Sequence, residues 1–186
     1  MLKCLNVKIK SKGLTLIEML VAVTIFAITV GAISGLFSSA IRSQRRVLAT
    51  QELLDQTSYV LEYMGRTLRM AKKDKDGDCT GTAEKNYISL GVDNIWFMDY
   101  NGDCVGFDNT DYQIKKYTAS GIFDLTSSKI KVNTLKFIIS GDNLPDDKFQ
   151  PRVTIFLEAE GREAAGSRPK VQIQTSISQR NLDTAQ

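Results

Sequence analysis

From Leu14 to Ile41 the chain is apolar at almost every position, broken by Glu18 and a few small hydroxyl residues, and the first Lys, Arg, Asp or Pro after Gly13 is Arg42. A helix of about 28 residues rises about 42 Å, enough to cross a hydrocarbon core of about 30 Å with some tilt. The pattern therefore predicts a membrane-spanning helix over 14–41. Beyond Arg42, Arg45 and Arg46 the period changes. Val47, Leu54, Leu61 and Leu68 recur every seven residues, Thr50, Thr57, Met64 and Ala71 interleave, and Gln51, Glu52, Asp55, Glu62, Arg66 and Arg69 supply polar faces. This predicts an amphipathic helix over 42–73, ending near Lys72 and Lys73, where cations suit the carboxyl end of the helix dipole. No Pro interrupts 14–72, so the two halves read as one helix of about 59 residues, or about 88 Å.

Residues 74–186 read as strands separated by turns. Asn86 to Leu90, Asn94 to Tyr100, Cys104 to Phe107 and Tyr112 to Tyr117 are short runs rich in branched or aromatic residues, with a hairpin expected across Asn101-Gly102. Longer strands follow at Lys131 to Ser140, Arg152 to Glu160 and Lys170 to Ser178, and Glu160 to Pro169 forms the polar turn between the last two. Alternating apolar positions suit an antiparallel sheet with one face on the helix. The fold class is α+β: a long N-terminal helix packed against a C-terminal antiparallel β-sheet.

Glu18 is the anomaly in this pattern. A carboxylate inside a membrane span costs on the order of 2.5–3.5 kcal/mol and is normally kept only with a partner, yet the span holds no Lys or Arg. Cutting the chain after Gly13 would create one, because the α-amino group of Leu14 would stand four residues from Glu18 or near the Glu18 of a neighbouring copy. The preceding residues agree. Lys3, Lys8, Lys10 and Lys12 occur with no acid in 1–13, a bias that holds a segment in the cytoplasm. No A-x-A site follows the apolar core, and Ser38-Ser39-Ala40 leads straight into Arg42.

Lys-Gly followed by Leu-Thr-Leu-Ile-Glu-Met-Leu-Val-Ala resembles the N-terminal motif of type IV pilins and type II secretion pseudopilins. The resemblance implies a pilin-like fold and cleavage after Gly13 by a prepilin peptidase, with N-methylation of Leu14. It also implies that Glu18 pairs with the N-terminal amine of an adjoining subunit during filament assembly. Residues 1–13 are then a leader, 14–41 the span in the bacterial inner membrane, 42–73 the amphipathic half of the helix and 74–186 a periplasmic or extracellular β-rich domain. Gln172 to Leu182 and the helix close from Leu61 to Ala71 resemble J-type minor pseudopilins and favour a minor subunit near the filament tip. Retention of Glu18 argues against the K-type tip subunit. Many major pilins carry a Pro in the span, and this chain does not. Gly31-Ala-Ile-Ser-Gly35 permits close helix contact in lipid, though a chance pair of glycines reads the same.

Charge and cysteines sharpen this picture. The formal charge of +3 belongs to the whole chain. Loss of the four leader lysines leaves the acids one ahead, and no basic run interleaved with aromatics follows Arg46, so no nucleic-acid partner is expected. Cys4 falls in the leader, leaving Cys79 and Cys104 in the exported part. In an oxidising compartment these are expected to pair; two free thiols are the alternative, because proximity is not visible in sequence. Asp74-Lys-Asp-Gly-Asp-Cys79 recurs as Asp99-Tyr-Asn-Gly-Asp-Cys104. Clustered carboxylates on a tight turn make Asp74, Asp76 and Asp78 candidates for Ca²⁺, and calcium occurs in pseudopilin relatives. Neither copy has the downstream bidentate Glu of an EF-hand, and Asp-Gly and Asn-Gly form turns by themselves. Two turns presenting a cystine, with no cofactor, are therefore the expectation.

No enzyme constellation is present: there is no His, no G-x-S-x-G, no phosphate-binding glycine loop and no C-x-x-C. Asp146-Asp147 beside Pro145 reads as solvated turn charges. The leading function is a filament subunit that works with a prepilin peptidase, other pilin-like subunits and the inner membrane. The alternative is a membrane-anchored binding module, an adhesin or DNA-uptake pilin, acting through its β-domain loops.

Overall fold

The computed structural model describes residues 13–142, 149–162 and 168–180. The leader lysines, Cys4, Pro145 to Asp147, the centre of the Glu160 to Pro169 turn and Leu182 lie outside the described residues. The chain divides into two compact units, Met1–Gln44 and Arg45–Gln186. Helix α1, Leu16–Arg69, contributes to both.

In the first unit the helix is apolar all round. Leu16, Phe26, Ile28, Leu36 and Phe37 are all exposed, and α1 is the one helix among the described residues long and apolar enough to cross a membrane. Its hydroxyls turn back on the helix: Thr24 Oγ1 donates to the Val21 carbonyl, Thr29 to Ile25 and Ser34 to Val30, each at 2.8 Å. That leaves these hydroxyls satisfied without water, as a helix surface in lipid requires.

The second unit is built from the α1 residues after Gln44 and eight strands. β1 (Tyr87–Ile88), β2 (Asn94–Met98), β3 (Cys104–Thr110), β4 (Gln113–Thr118) and β5 (Gly121–Asp124) form an antiparallel meander in that order. β6 (Ile130–Ser140), β7 (Arg152–Gly161) and β8 (Lys170–Ser178) form a second, three-stranded antiparallel sheet. The expected single sheet is therefore two. The break falls at Leu125 to Lys129, and in place of a ladder β6 meets the meander through isolated bonds, among them Val132 N–H to the Tyr112 carbonyl and Phe137 N–H to the Val92 carbonyl, both 2.9 Å.

The hairpin across Asn101-Gly102 forms, with Met98 opposite Cys104 and Gly102 at φ 94°. β5 was not expected; its Ile122 and Phe123 are exposed on an edge strand, so no alternation advertises it. In β6 the core-facing residues step from Val132 to Leu135, three positions rather than two, because a bulge shifts the register between Val132 and Thr134. Trp96, Gly106 and Tyr117 share one rung. A Cβ at Gly106 would stand 2.6 Å from the indole, so glycine is what lets Trp96 lie across β3 toward Tyr117, ring centroids 5.6 Å apart.

The core joins one stripe of α1 to both sheets. Leu53, Thr57, Val60, Met64 and Leu68 are buried against residues such as Phe97, Phe107, Leu135, Ile155 and Leu157. Each large apolar side chain fully buried there contributes about 1.5–3 kcal/mol of transfer free energy. The seven-residue ladder expected to face the core drifts off it: Leu68 is buried and Leu61 half-buried, but Leu54 is 43% and Val47 53% exposed.

The helix also ends earlier than Lys72-Lys73. The Lys72 N–H donates to the Met98 carbonyl at 2.9 Å, which pulls the chain into an antiparallel bridge. The last carbonyls find other donors: the Tyr87 hydroxyl reaches Leu68 at 2.7 Å, the Arg180 N–H reaches Arg69 at 2.8 Å and the Gln179 side-chain amide reaches Ala71 at 2.7 Å. Burial, with the Asp142 carboxylate beside it, pushes the Tyr87 phenol up, so it remains a donor.

Candidate functional site at the start of the helix

Gly13, Leu14 and Thr15 precede the helix, which begins at Leu16 rather than at Leu14. The turn is closed by a reciprocal pair of contacts. The Glu18 N–H donates to the Thr15 hydroxyl at 3.3 Å, and the Thr15 N–H reaches Glu18 Oε2 at 3.5 Å. This is a capping box: the N-cap hydroxyl serves one orphan donor of the first turn, and the carboxylate three residues on serves another. A negative charge here also complements the positive end of the helix dipole. Sequence reasoning overlooked this role, although Thr15-x-x-Glu18 ahead of an apolar run is its standard signal.

Gly13, Leu14 and Glu18 thus lie within one exposed turn of one another. Among the described residues Glu18 forms no ion pair, and its carboxylate bonds only to backbone at the segment's own start. A Cβ at Gly13, Gly31 or Gly35 would meet nothing within 4 Å. The turn can present one carboxylate to a cation and one accessible Gly-Leu peptide bond to a peptidase.

The second group of predicted residues meets in the other unit. Cys79 and Cys104 are disulfide-bonded, with Cα atoms 5.2 Å apart, and the bond ties the 74–86 loop to β3. Asp74, named as a calcium candidate, has no exposed surface. Its Oδ1 accepts the N–H groups of Gly77 and Asp78 at 3.0 and 3.2 Å, and its Oδ2 accepts the N–H groups of Cys79 and Thr80 and the Thr80 hydroxyl at 2.9, 2.8 and 3.0 Å. Two carboxylate oxygens offer about four lone-pair sites, so these five donors fill what a cation would need. Burial acts to raise the Asp74 carboxyl, but the donors from Thr80, Cys79 and Gly77 outweigh it and hold the group below its ordinary value. Asp76 and Asp78 are exposed beside it. In the second copy, Asp99 Oδ1 accepts the N–H groups of Asn101, Gly102 and Asp103 at 2.8, 3.0 and 3.0 Å. The repeated motif is thus a carboxylate-centred turn used twice to set a cysteine.

A further acid without a sequence signal is Glu160, almost fully buried at the end of β7. Burial would raise its carboxyl, but Asn133, Lys170 and Lys131 hold it below the usual range.

Residues 8–34 match the family model described as the prokaryotic N-terminal methylation motif. No match to the chain was found among curated proteins or among solved structures.

Proposed function

We propose that the chain is a pilin-like minor subunit assembled near the tip of a type IV pilus or a type II secretion pseudopilus, a reading supported by the prokaryotic N-terminal methylation motif at residues 8–34. The motif supports processing by a prepilin peptidase and a structural rather than enzymatic role. In this reading residues 1–13 are removed, Leu14 becomes the methylated N-terminus, and 14–41 holds the subunit in the inner membrane by a single pass. The β-rich domain then faces the periplasm or the exterior. Other pilin-like subunits are its partners. The minor, tip-proximal position is supported by the resemblance of 172–182 and 61–71 to J-type pseudopilins.

One observation carries the reading: residues 8–34 match the methylation motif, and within them Gly13 precedes Leu14 with Glu18 four residues further on, at the start of an otherwise uncharged span, which supports cleavage after Gly13 and assembly through Glu18. Once Gly13 is cut away, the Leu14 amine supplies the missing cation, either within the chain or from a neighbouring subunit. Pairing inside a low-dielectric filament offsets the cost of burying Glu18.

Co-expression with a prepilin peptidase, followed by mass spectrometry of the N-terminus, tests it. The expected mature chain starts at N-methylated Leu14; an intact leader, or cleavage near Ala40, would overturn the assignment.

A further inference from the structure

Among the described residues, the end rungs of the three-stranded sheet gather three cations around one carboxylate. Lys131, Glu160 and Lys170 stand side by side on β6, β7 and β8. Glu160 Oε1 lies 3.6 Å from Lys131 Nζ and 4.0 Å from Arg168 Nη1, and Oε2 lies 3.5 Å from Lys170 Nζ. A single buried carboxylate is shared by three cations, and the Arg168 and Lys170 side chains remain 62% exposed. Next to this rung Lys129 pairs with Glu52 at 3.0 Å, and the Arg162 N–H donates to the Lys129 carbonyl at 2.8 Å.

These residues gather at a defined place. Arg45, Leu48 and Leu53 line a cleft of about 320 Å³ with Lys129, Ile130 and Gly161. The basic end of the sheet therefore lies beside the helical turns that open the second unit. Among the described residues, Arg45, Arg46 and Arg162 bring the cations of these elements to seven, beside the acids Glu52 and Glu160.

Arg45 is four residues from Ile41, where the apolar run stops. Chain length alone keeps that interval under about 14 Å even if fully extended. The headgroup layer takes up about 5–7 Å of such a distance, and the remainder is comparable to a Debye length of about 8 Å. Arg45 and Arg46, on so short a tether, come within reach of the field of an anionic membrane surface, which draws in juxtamembrane Lys and Arg.

We propose that this face, centred on Arg45, Arg46, Lys131, Arg162, Arg168 and Lys170, binds anionic phospholipid headgroups of the membrane that residues 14–41 span. It rests on the spanning reading above and adds a docked orientation for the subunit before it enters a filament. Extraction into the filament must then break these contacts.

The full chain reconstituted into vesicles of phosphatidylcholine, with or without phosphatidylglycerol, provides the test. Amide hydrogen exchange is followed in peptides covering 129–132 and 159–162. Exchange is expected to be several-fold slower with phosphatidylglycerol, and the difference to vanish at high salt and in the variant Arg45→Gln/Arg46→Gln/Arg162→Gln, which leaves the ion pairs of Glu160 in place. Equal exchange in the two vesicle types, with the chain resisting alkaline carbonate extraction, overturns the headgroup contact alone. Extraction by carbonate overturns the spanning reading and the contact with it. Protection that rises with chain density in neutral vesicles assigns the face to a second copy and overturns the lipid as its occupant.

Discussion

The side-chain amide of Gln179 donates to the Ala71 carbonyl at 2.7 Å, joining positions 108 residues apart. The same nitrogen reaches Asn86 Oδ1 at 3.1 Å. One buried amide at the end of β8 thus serves the exit of α1 and the approach to β1. Gln179→Leu removes both donors while keeping much of the volume. The expected loss is about 1–3 kcal/mol, the cost of leaving buried acceptors short of a donor. Denaturant unfolding of the chain in detergent, followed by near-ultraviolet circular dichroism, measures it.

Asp74 gives a pH dependence of known sign. Its folded pKa lies below the ordinary aspartate value, so its contribution is complete above about pH 4 and is lost as pH falls through the folded value. Asp74→Asn points an amide at donors and should cost about 2–3 kcal/mol at neutral pH. Unfolding curves of the two proteins should converge below about pH 4. A gap that stays constant in acid would show that the carboxylate's charge is not what organises the turn.

The Cys79–Cys104 bond closes an interval of 25 residues. In the chain-entropy account that constraint stabilises by about 3–4 kcal/mol. Cys79→Ala/Cys104→Ala should lower stability by that amount. Exchange should rise first in 75–85, the segment that Cys79 ties to Cys104 at the start of β3.

Thr15 and Glu18 allow capping and charge to be separated. Glu18→Gln keeps a side chain that can complete the box but removes the carboxylate. It should leave membrane insertion and the helix start intact and reduce incorporation into filaments. Thr15→Ala does the reverse, fraying the first turn by about 1 kcal/mol. Amide exchange at 16–18 in micelles, set beside filament incorporation in cells, distinguishes them. Normal incorporation of Glu18→Gln would remove the proposed charge role.

How much of this was legible depended on whether a pattern needed only its own segment. The length and apolarity of the first half of α1, the methylation motif and the limits of β8 follow from local chemistry. The buried face of α1 did not, for a geometric reason. At about 100° per residue, Leu53, Thr57, Val60 and Leu68 lie within about 40° of Met64, whereas Leu61, Leu54 and Val47 stand about 60°, 80° and 100° away. A strict seven-residue repeat walks around a straight helix, and the exposures of these three residues rise in step. The two-sheet division and β5 depend on which strands pair, which alternation does not encode. Glu160 was missed because its three cations come from three separate parts of the sheet's end, and the Asp74 turn because its donors are backbone groups.

The disulfide acquires a sorting logic from the proposed topology. Three cysteines can pair in three ways, and two of those join Cys4 to the wrong partner. With the leader on the cytoplasmic side and Cys79 and Cys104 beyond the membrane, the bilayer removes both errors before any oxidant acts. Correct pairing then requires no proofreading by an isomerase. It also makes the cystine a timestamp, since the 74–86 loop can be locked only in a chain whose domain has already crossed.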